Sequence, residues 1–482
     1  LAQGVGAQLG HGQILLGALP ACLAARDAAC AENALRPADV TAAASTHMTV
    51  AIHWFRNDLR LHDNPALRAA ASADRLLCVY IHDPRHDLPT RWGFPRMGGH
   101  RRRFLADGLG ALAAALAMQG QRLQVIVGSA PEVLPELAAR AGAAVVHCEW
   151  IAAPEEEADV AALRASGLQV DCHWQSSLLE PTALPFAVDG VPLVFSDFRR
   201  RVESAGVRPR EPLPPPEELP PPPAAAAGHG APAVAAIEQW LAAPPAADDP
   251  RSAFPYAQPA FRAGEGAALA HLQRYFDSDL PQRYKRTRNG LQGVDYSTKF
   301  SPWLASGALS ARRVHAALRA HEMRCGSNED TYWINFELLW RDHFRLLHLR
   351  FGSRLYGAAG LSRFPPPGHD SAAFARWCAG RCGEPFIDAG MRELAASGYL
   401  SNRMRQNVAS WLVNDLHCDH RAGAAWFESQ LIDYDPCSNQ GNWLYLAGRG
   451  TDPRAGRRFD PGKQARDYDP QGSYRDLWNA GH

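Results

Sequence analysis

Net charge is missing from this chain: 50 Lys and Arg residues balance 50 Asp and Glu residues over 482 positions. A globally basic surface for nucleic acid is therefore excluded, and any attraction for phosphate must come from a local patch. The ten cysteines contain no CxxC pair. Cys378 and Cys382 sit four apart without matching ligands at zinc-site spacing, so no metal site is expected. A secretory disulfide framework is not expected either, and the natural reading is reduced, mostly buried thiols in a cytoplasmic protein. No apolar run is long enough to span a bilayer, so no membrane partner is expected. No GxGxxG follows the first strand-like run, which argues against a dinucleotide held in the usual Rossmann manner. What remains is 46% hydrophobic and 21% charged residues, an ordinary globular composition in a chain long enough for two domains.

Residues 1–47 are rich in Ala and Gly and poorly periodic. The run from Ile14 to Leu19 resembles a short signal core, but no Lys or Arg precedes it. The strong pattern starts at Met48, which makes the preceding stretch an unstructured tail, a misassigned start, or an organelle transit segment. From 48 to 180, apolar runs at 50–55, 76–82, 123–127, 143–148 and 168–174 alternate with helical patterns at 65–71, 98–118, 131–141 and 154–165. Strands buried on both faces and separated by helices predict an α/β domain with a doubly wound parallel sheet. From 181 to 262 the pattern gives way to proline and alanine, which predicts an extended interdomain linker. From 263 to 482 the periodicity is helical, notably at 266–276, 310–322, 330–350, 384–396, 403–416 and 422–431. An all-α second domain follows, holding eight of the tryptophans.

Several strings carry more than fold. The first is His53-Trp54-Phe55-Arg56-Asn57-Asp58-Leu59-Arg60, running on to Asn64-Pro65, where Asn64 suits a helix N-cap and Pro65 the first helical position. Tyr284 precedes a basic turn, and Asp295-Tyr296-Ser297-Thr298-Lys299-Phe300-Ser301-Pro302-Trp303 gathers hydroxyls and a lysine as a phosphate would require. Glu337, Trp340 and Arg341 stand at i, i+3 and i+4 on one helix face. Asn402 and Arg405 lie one turn apart, before Asp433-Tyr434-Asp435-Pro436-Cys437-Ser438-Asn439-Gln440-Gly441-Asn442-Trp443-Leu444-Tyr445.

Together these strings, from Met48 to about Trp478, resemble the photolyase/cryptochrome family, and the phrases around Ser297, Gln406 and Ser438 resemble its DASH branch. The resemblance implies bound FAD. Tyr284, Ser297, Thr298, Lys299 and Ser301 would contact its diphosphate, and Arg341 the cofactor; Arg405 would pair with Asp433 beside the flavin ring. Asp435 and Asn439 would meet the ring edge, Asn439 as a neutral donor facing the reactive ring nitrogen, with Asn402 nearby. It also implies a substrate pocket lined by Glu337 and Trp340, Glu337 with a raised pKa, and an inner electron-transfer residue at Trp443. The next tryptophan of that route is replaced by His420, leaving Trp411 or Tyr434 as other routes. Glu149 would hold the pterin of 5,10-methenyltetrahydrofolate. Arg288, Arg403, Gln406, Tyr445, Arg458 and Lys463 would contact DNA. The expected function is light-driven repair of cyclobutane pyrimidine dimers by a monomer acting on single-stranded DNA; the rival expectation is a blue-light signalling receptor without repair.

Overall fold

In a computed structural model, the described residues are 48–224, 248–451 and 456–480. The expected tail at 1–47, the middle of the Pro/Ala-rich linker and residues 452–455 lie outside them. From Met48 onward the chain forms one unit.

The first half alternates β1 (Val50–Phe55), α1 (Pro65–Ala70), β2 (Arg75–His82), α2 (Gly99–Met118), β3 (Leu123–Val127), α3 (Ala130–Ala141), β4 (Val145–Glu149), α4 (Pro154–Ala165) and β5 (Gln169–His173). All neighbouring strands pair in parallel, in the order β3-β2-β1-β4-β5. Successive residues of a strand face opposite sides. Ala51 and Phe55 join Leu112 and Leu116 on one face, while Ile52 and Trp54 join Leu134 and Leu163 on the other. Burial on both faces is why the strands read as unbroken apolar runs. Asn64 caps α1 as its position suggests, accepting the Leu67 N–H at 3.0 Å.

The stretch expected as a structureless linker departs from that expectation in two ways. It contains a helix, α5 (Phe195–Ser204), whose Phe195, Phe198 and Val202 are buried at helical spacing. The proline run also leans on the sheet domain: the Leu76 N–H donates to the Pro221 carbonyl at 3.2 Å, and the Asp63 N–H to the Leu213 carbonyl at 2.9 Å. Proline keeps its carbonyl acceptor although it has no N–H.

The second half is helical: α6 (Glu265–Asp277), α7 (Tyr284–Thr287), α8 (Ser301–Ser306), α9 (Ala311–Cys325), α10 (Glu329–Phe351), α11 (Ser371–Cys378), α12 (Pro385–Ser397), α13 (Asn402–Asn414), α14 (His420–Gln430), α15 (Pro436–Leu446), α16 (Pro461–Tyr468) and α17 (Ser473–Asn479). Among the described residues, no helix is long and apolar enough to cross a membrane.

The two halves are locked by buried charge. Arg312 of α9 bonds to Asp63 at 2.9 Å and to the carbonyls of Ser177 and Gln175 at 3.0 and 2.9 Å. Arg60 reaches across to the Gly307 carbonyl at 2.8 Å. Gly307 has φ +72°, and a Cβ there would stand 1.9 Å from the Asn57 carbonyl oxygen, so only glycine allows this approach. The loop after β1 is thus clamped against α8, and the carboxyl ends of the strands face the helical half, where open α/β sheets place their ligands.

Candidate functional site

Four separated stretches of the helical half enclose a cavity of about 970 Å³, counted with its open mouth. Its wall takes Tyr284 from α7, Ser297, Thr298, Lys299 and Ser301 from the α8 approach, Glu337 and Arg341 from α10, and Asn402, Arg405 and Asp433 beyond. Asn402, Arg405 and Asp433 also line an adjoining cavity with Gln406, Asp435, Asn439 and Trp443. The two spaces therefore share one wall, and nearly all the expected cofactor residues gather around it.

Of the buried atoms on that wall without a partner, two belong to charged groups whose unmet demand points to a ligand. Lys299 is 1% exposed, adopts a left-handed φ of 57°, and has no hydrogen-bond partner at Nζ, which sits 3.3 Å from the centre of the Tyr296 ring. Burial pushes its pKa well below the usual lysine range, against the pull of Glu393 and Asp295. Asp433 holds Arg405 through Oδ2 at 2.8 Å, but its buried Oδ1 has no partner. An unpaired buried amine and an unpaired buried carboxylate oxygen each cost stability unless something answers them. A ligand with an anionic diphosphate and an N–H-bearing ring would answer both, so the residues fit FAD.

Around this pair the chemistry is ordered by neighbours. Glu337 is salt-bridged to Arg288 at 2.6 Å; burial raises its pKa while Arg288 draws it back. Asp435 would be raised by burial, but Arg341, Arg345 and the Ser438 N–H outweigh that and hold it low. Asn439 donates its side-chain N–H to the Ala424 carbonyl at 3.0 Å. That bond uses one of the two amide N–H groups, so the second N–H and the side-chain oxygen both remain for a ligand. Trp443 is buried, with Phe427 and Trp377 as ring neighbours at 5.1 and 6.4 Å. His420 is also buried, and burial lowers its pKa to about 4.

Three expectations need correction. Trp340 does not share the cavity wall with Glu337 and Arg341: its ring lies flat on Phe195 of α5 at 3.8 Å and meets Tyr445 edge-on at 5.8 Å. At about 100° of rotation per residue, i+3 falls to one side of i and i+4 to the other, and α5 covers that side. Glu149 is fully buried and bound to Arg345 at 3.2 Å, and Arg345 in turn approaches Asp435 at 3.4 Å. Glu149 therefore joins the sheet to the cavity wall and does not line the cleft, while its buried Oε2 is left without a partner. The carboxylates on the cleft between the halves are Glu155, Glu156 and Glu428, with Trp92, Arg96, Arg421 and Tyr434. Arg288, expected on DNA, is turned into the cavity toward Glu337.

The other expected DNA contacts separate. Arg403 bonds to Asn289 and Gln406, both at 2.9 Å, beside the cavity. Lys463 is exposed next to Asp467. Arg458 is bound to Asp415, just past the far end of α13. At 1.5 Å per residue that end lies roughly 20 Å from Asn402, so Arg458 stands away from the opening. Arg345 and Tyr399 were missed in the sequence. Arg345 follows Arg341 by one turn, a signal that was present; Tyr399 lies just before the Asn402 string and lines the cavity.

Comparison with known proteins agrees with this geometry. Residues 333–480 match the FAD binding domain of DNA photolyase, and residues 51–220 match the DNA photolyase family. The chain is 42% identical to a cryptochrome DASH of Xenopus laevis over 89% of its length and 82% of that protein. It is 44% identical to one of Gloeobacter violaceus, over 88% and 84%. A solved Synechocystis cryptochrome superposes with TM-score 0.83 at 40% identity, covering 89% of this chain and 88% of that one. A class III photolyase of Agrobacterium tumefaciens superposes with TM-score 0.73 at 29% identity, covering 91% and 88%. With its parallel sheet, its helical FAD-binding half and these relatives, the chain belongs to the DASH branch of the photolyase/cryptochrome family.

Proposed function

We propose that this protein is a light-driven DNA-repair enzyme that splits cyclobutane pyrimidine dimers, mainly in single-stranded DNA. The observation that carries the reading is the pair of unanswered buried atoms, Lys299 Nζ and Asp433 Oδ1, on one cavity whose wall also presents Glu337 and Asn402. Held there in reduced form, FAD would supply one electron under light and recover it, with no net redox change.

The chain's own residues bind, orient and exclude water. The Tyr284, Ser297, Thr298 and Ser301 hydroxyls and the Lys299 ammonium hold the diphosphate. The Arg405–Asp433 pair and Asp435 would fix the ring, and the neutral Asn439 amide would meet its edge through the oxygen or the remaining N–H, which favours the reduced state. Burial shifts Glu337 toward its protonated form while Arg288 draws it back; in that form its carboxyl would donate to a carbonyl of the extruded lesion. Arg288 positions that carboxyl, while Trp340 and Tyr445 offer ring edges to the bases. Arg403, Gln406 and Lys463 hold the backbone. Extruding a lesion costs a few kcal/mol and least in single strands, which suits the proposed preference.

We assign 5,10-methenyltetrahydrofolate to the cleft between the halves. A carboxylate suits the paired N–H donors of an aminopyrimidine edge, and Glu155, Glu156 and Glu428 line this cleft. Asn439 lines this cleft as well as the flavin-side cavity, which supports energy transfer over a short distance.

The test is illumination of the purified, reduced protein with thymine-dimer oligonucleotides. Faster dimer loss on single than on double strands is the expected result. Bound flavin with no dimer loss on either substrate would overturn repair and leave a signalling receptor.

A further inference from the structure

Cys148 and Cys172 are register partners on the parallel neighbours β4 and β5, and their Sγ atoms lie 3.7 Å apart. Cys148 is fully buried, whereas Cys172 is half-buried. Arg164 of α4 points Nη2 at Cys172 Sγ from 3.7 Å, held in place by two bonds to the Val170 carbonyl at 3.2 and 2.8 Å. The hydrogen bond from Cys148, with Arg164 and Arg56 adding their charge, draws the Cys172 thiol down to about 7 despite burial. The same hydrogen bond, reinforced by burial, drives Cys148 the other way. One sulfur is thus poised as a nucleophile and the other stays protonated beside it. Among the described residues, no group of three or more His, Cys, Asp or Glu is placed to hold a metal ion, so the pair has no metal set to belong to.

We propose that Cys148 and Cys172 form a site of reversible disulfide formation, with a peroxide as oxidant. The Cys172 thiolate attacks one peroxide oxygen; the O–O bond breaks, a sulfenic acid forms and hydroxide leaves, taking a proton to become water. The Cys148 sulfur then attacks the sulfenic sulfur as it gives up its proton. The S–S bond forms, the S–O bond breaks, and the departing hydroxide takes that proton to become the second water. Two thiols lose two electrons and one peroxide gains them. The sulfurs must close from 3.7 Å to about 2.05 Å. β5 is an edge strand with β4 as its single neighbour, so it can yield. The site lies immediately before Glu149 on β4. On β5 it precedes Gln175 and Ser176, whose carbonyls accept from Arg312 and Arg341.

The test treats the full-length protein with equimolar hydrogen peroxide, caps free thiols with N-ethylmaleimide, and maps the peptides. The expected product is a peptide linking Cys148 to Cys172, with two thiols lost and both recovered by dithiothreitol. In Cys148→Ser, the Cys172 sulfenic acid is expected to be trapped by dimedone with no cross-link. Cys172 is also expected to react with iodoacetamide at pH 7 at least about tenfold faster than Cys382, because its thiolate fraction is larger. Peroxide that leaves both thiols free to alkylation, or a Cys172 no faster than Cys382, overturns the proposal.

Discussion

Replacing Lys299 with Met separates the cavity's two states, because the flavin-free and flavin-bound proteins should respond in opposite directions. Methionine keeps the length of the stem and, being no more β-branched than lysine, adds no strain at the left-handed φ of 57°. In flavin-free protein the substitution removes a buried amine that has no hydrogen-bond partner, so stability should rise by about 1–3 kcal/mol. With FAD bound it removes a charge-assisted contact worth roughly 1.5–3 kcal/mol, equivalent to about 10- to 150-fold in Kd. The pH dependence follows from the lowered Lys299 pKa. Between that lowered value and about 10.4, the unfolded chain holds a proton that the folded flavin-free protein has released. Flavin-free stability should therefore increase with pH across this window. FAD binding should take up a proton there and weaken as pH rises. Both trends should flatten in Lys299→Met. Thermal melts of the flavin-free protein and calorimetric titration with FAD in buffers of different ionisation enthalpy read all of this. A variant that melts lower without flavin, or binds FAD as tightly as the parent, would refute the reasoning.

Other perturbations test other parts of the site. Glu337→Ala should leave FAD bound but weaken binding of a thymine-dimer oligonucleotide by about 1–3 kcal/mol, five- to 150-fold, in a fluorescence-anisotropy titration. Dimer affinity equal to the parent's would remove Glu337 from the substrate pocket. Arg345→Met leaves Glu149 and Asp435 buried without their shared cation, and should cost about 3–5 kcal/mol in a denaturant titration. Adding Glu149→Gln should recover part of that loss, and no recovery would argue against the pairing. Gly307→Ala drives a methyl into the Asn57 carbonyl at 1.9 Å and should cost about 3 kcal/mol or more, since backbone on both sides must move. An unchanged melting temperature would contradict the close clamp between the halves.

The local elements were legible because their causes are local. Unbroken apolar runs, an Asn-Pro cap and period-3.6 faces depend on residues within a few positions of one another, and β1, β3 and α4 lie where the pattern puts them. The cofactor strings were also readable, since each packs hydroxyls, amides or a charged pair into one turn. α5 was obscured because a ten-residue amphipathic helix lies next to a proline run that dominates the composition. Arg345 could have been read from its i+4 spacing to Arg341, but its partners come from β4 and α15, which no spacing along α10 reveals.

Alone, the sequence determined the alternation of strands and helices, the two-part architecture and the residue types available for binding a dinucleotide. The tertiary structure decided which of those residues share a wall. It turned Trp340 onto Phe195, moved Glu149 into an ion pair at the junction, drew Arg288 to Glu337 and left Lys299 and Asp433 with atoms unanswered. The reason is physical: periodicity fixes which way a side chain leaves its own element, whereas its partner and its burial depend on elements up to hundreds of residues away.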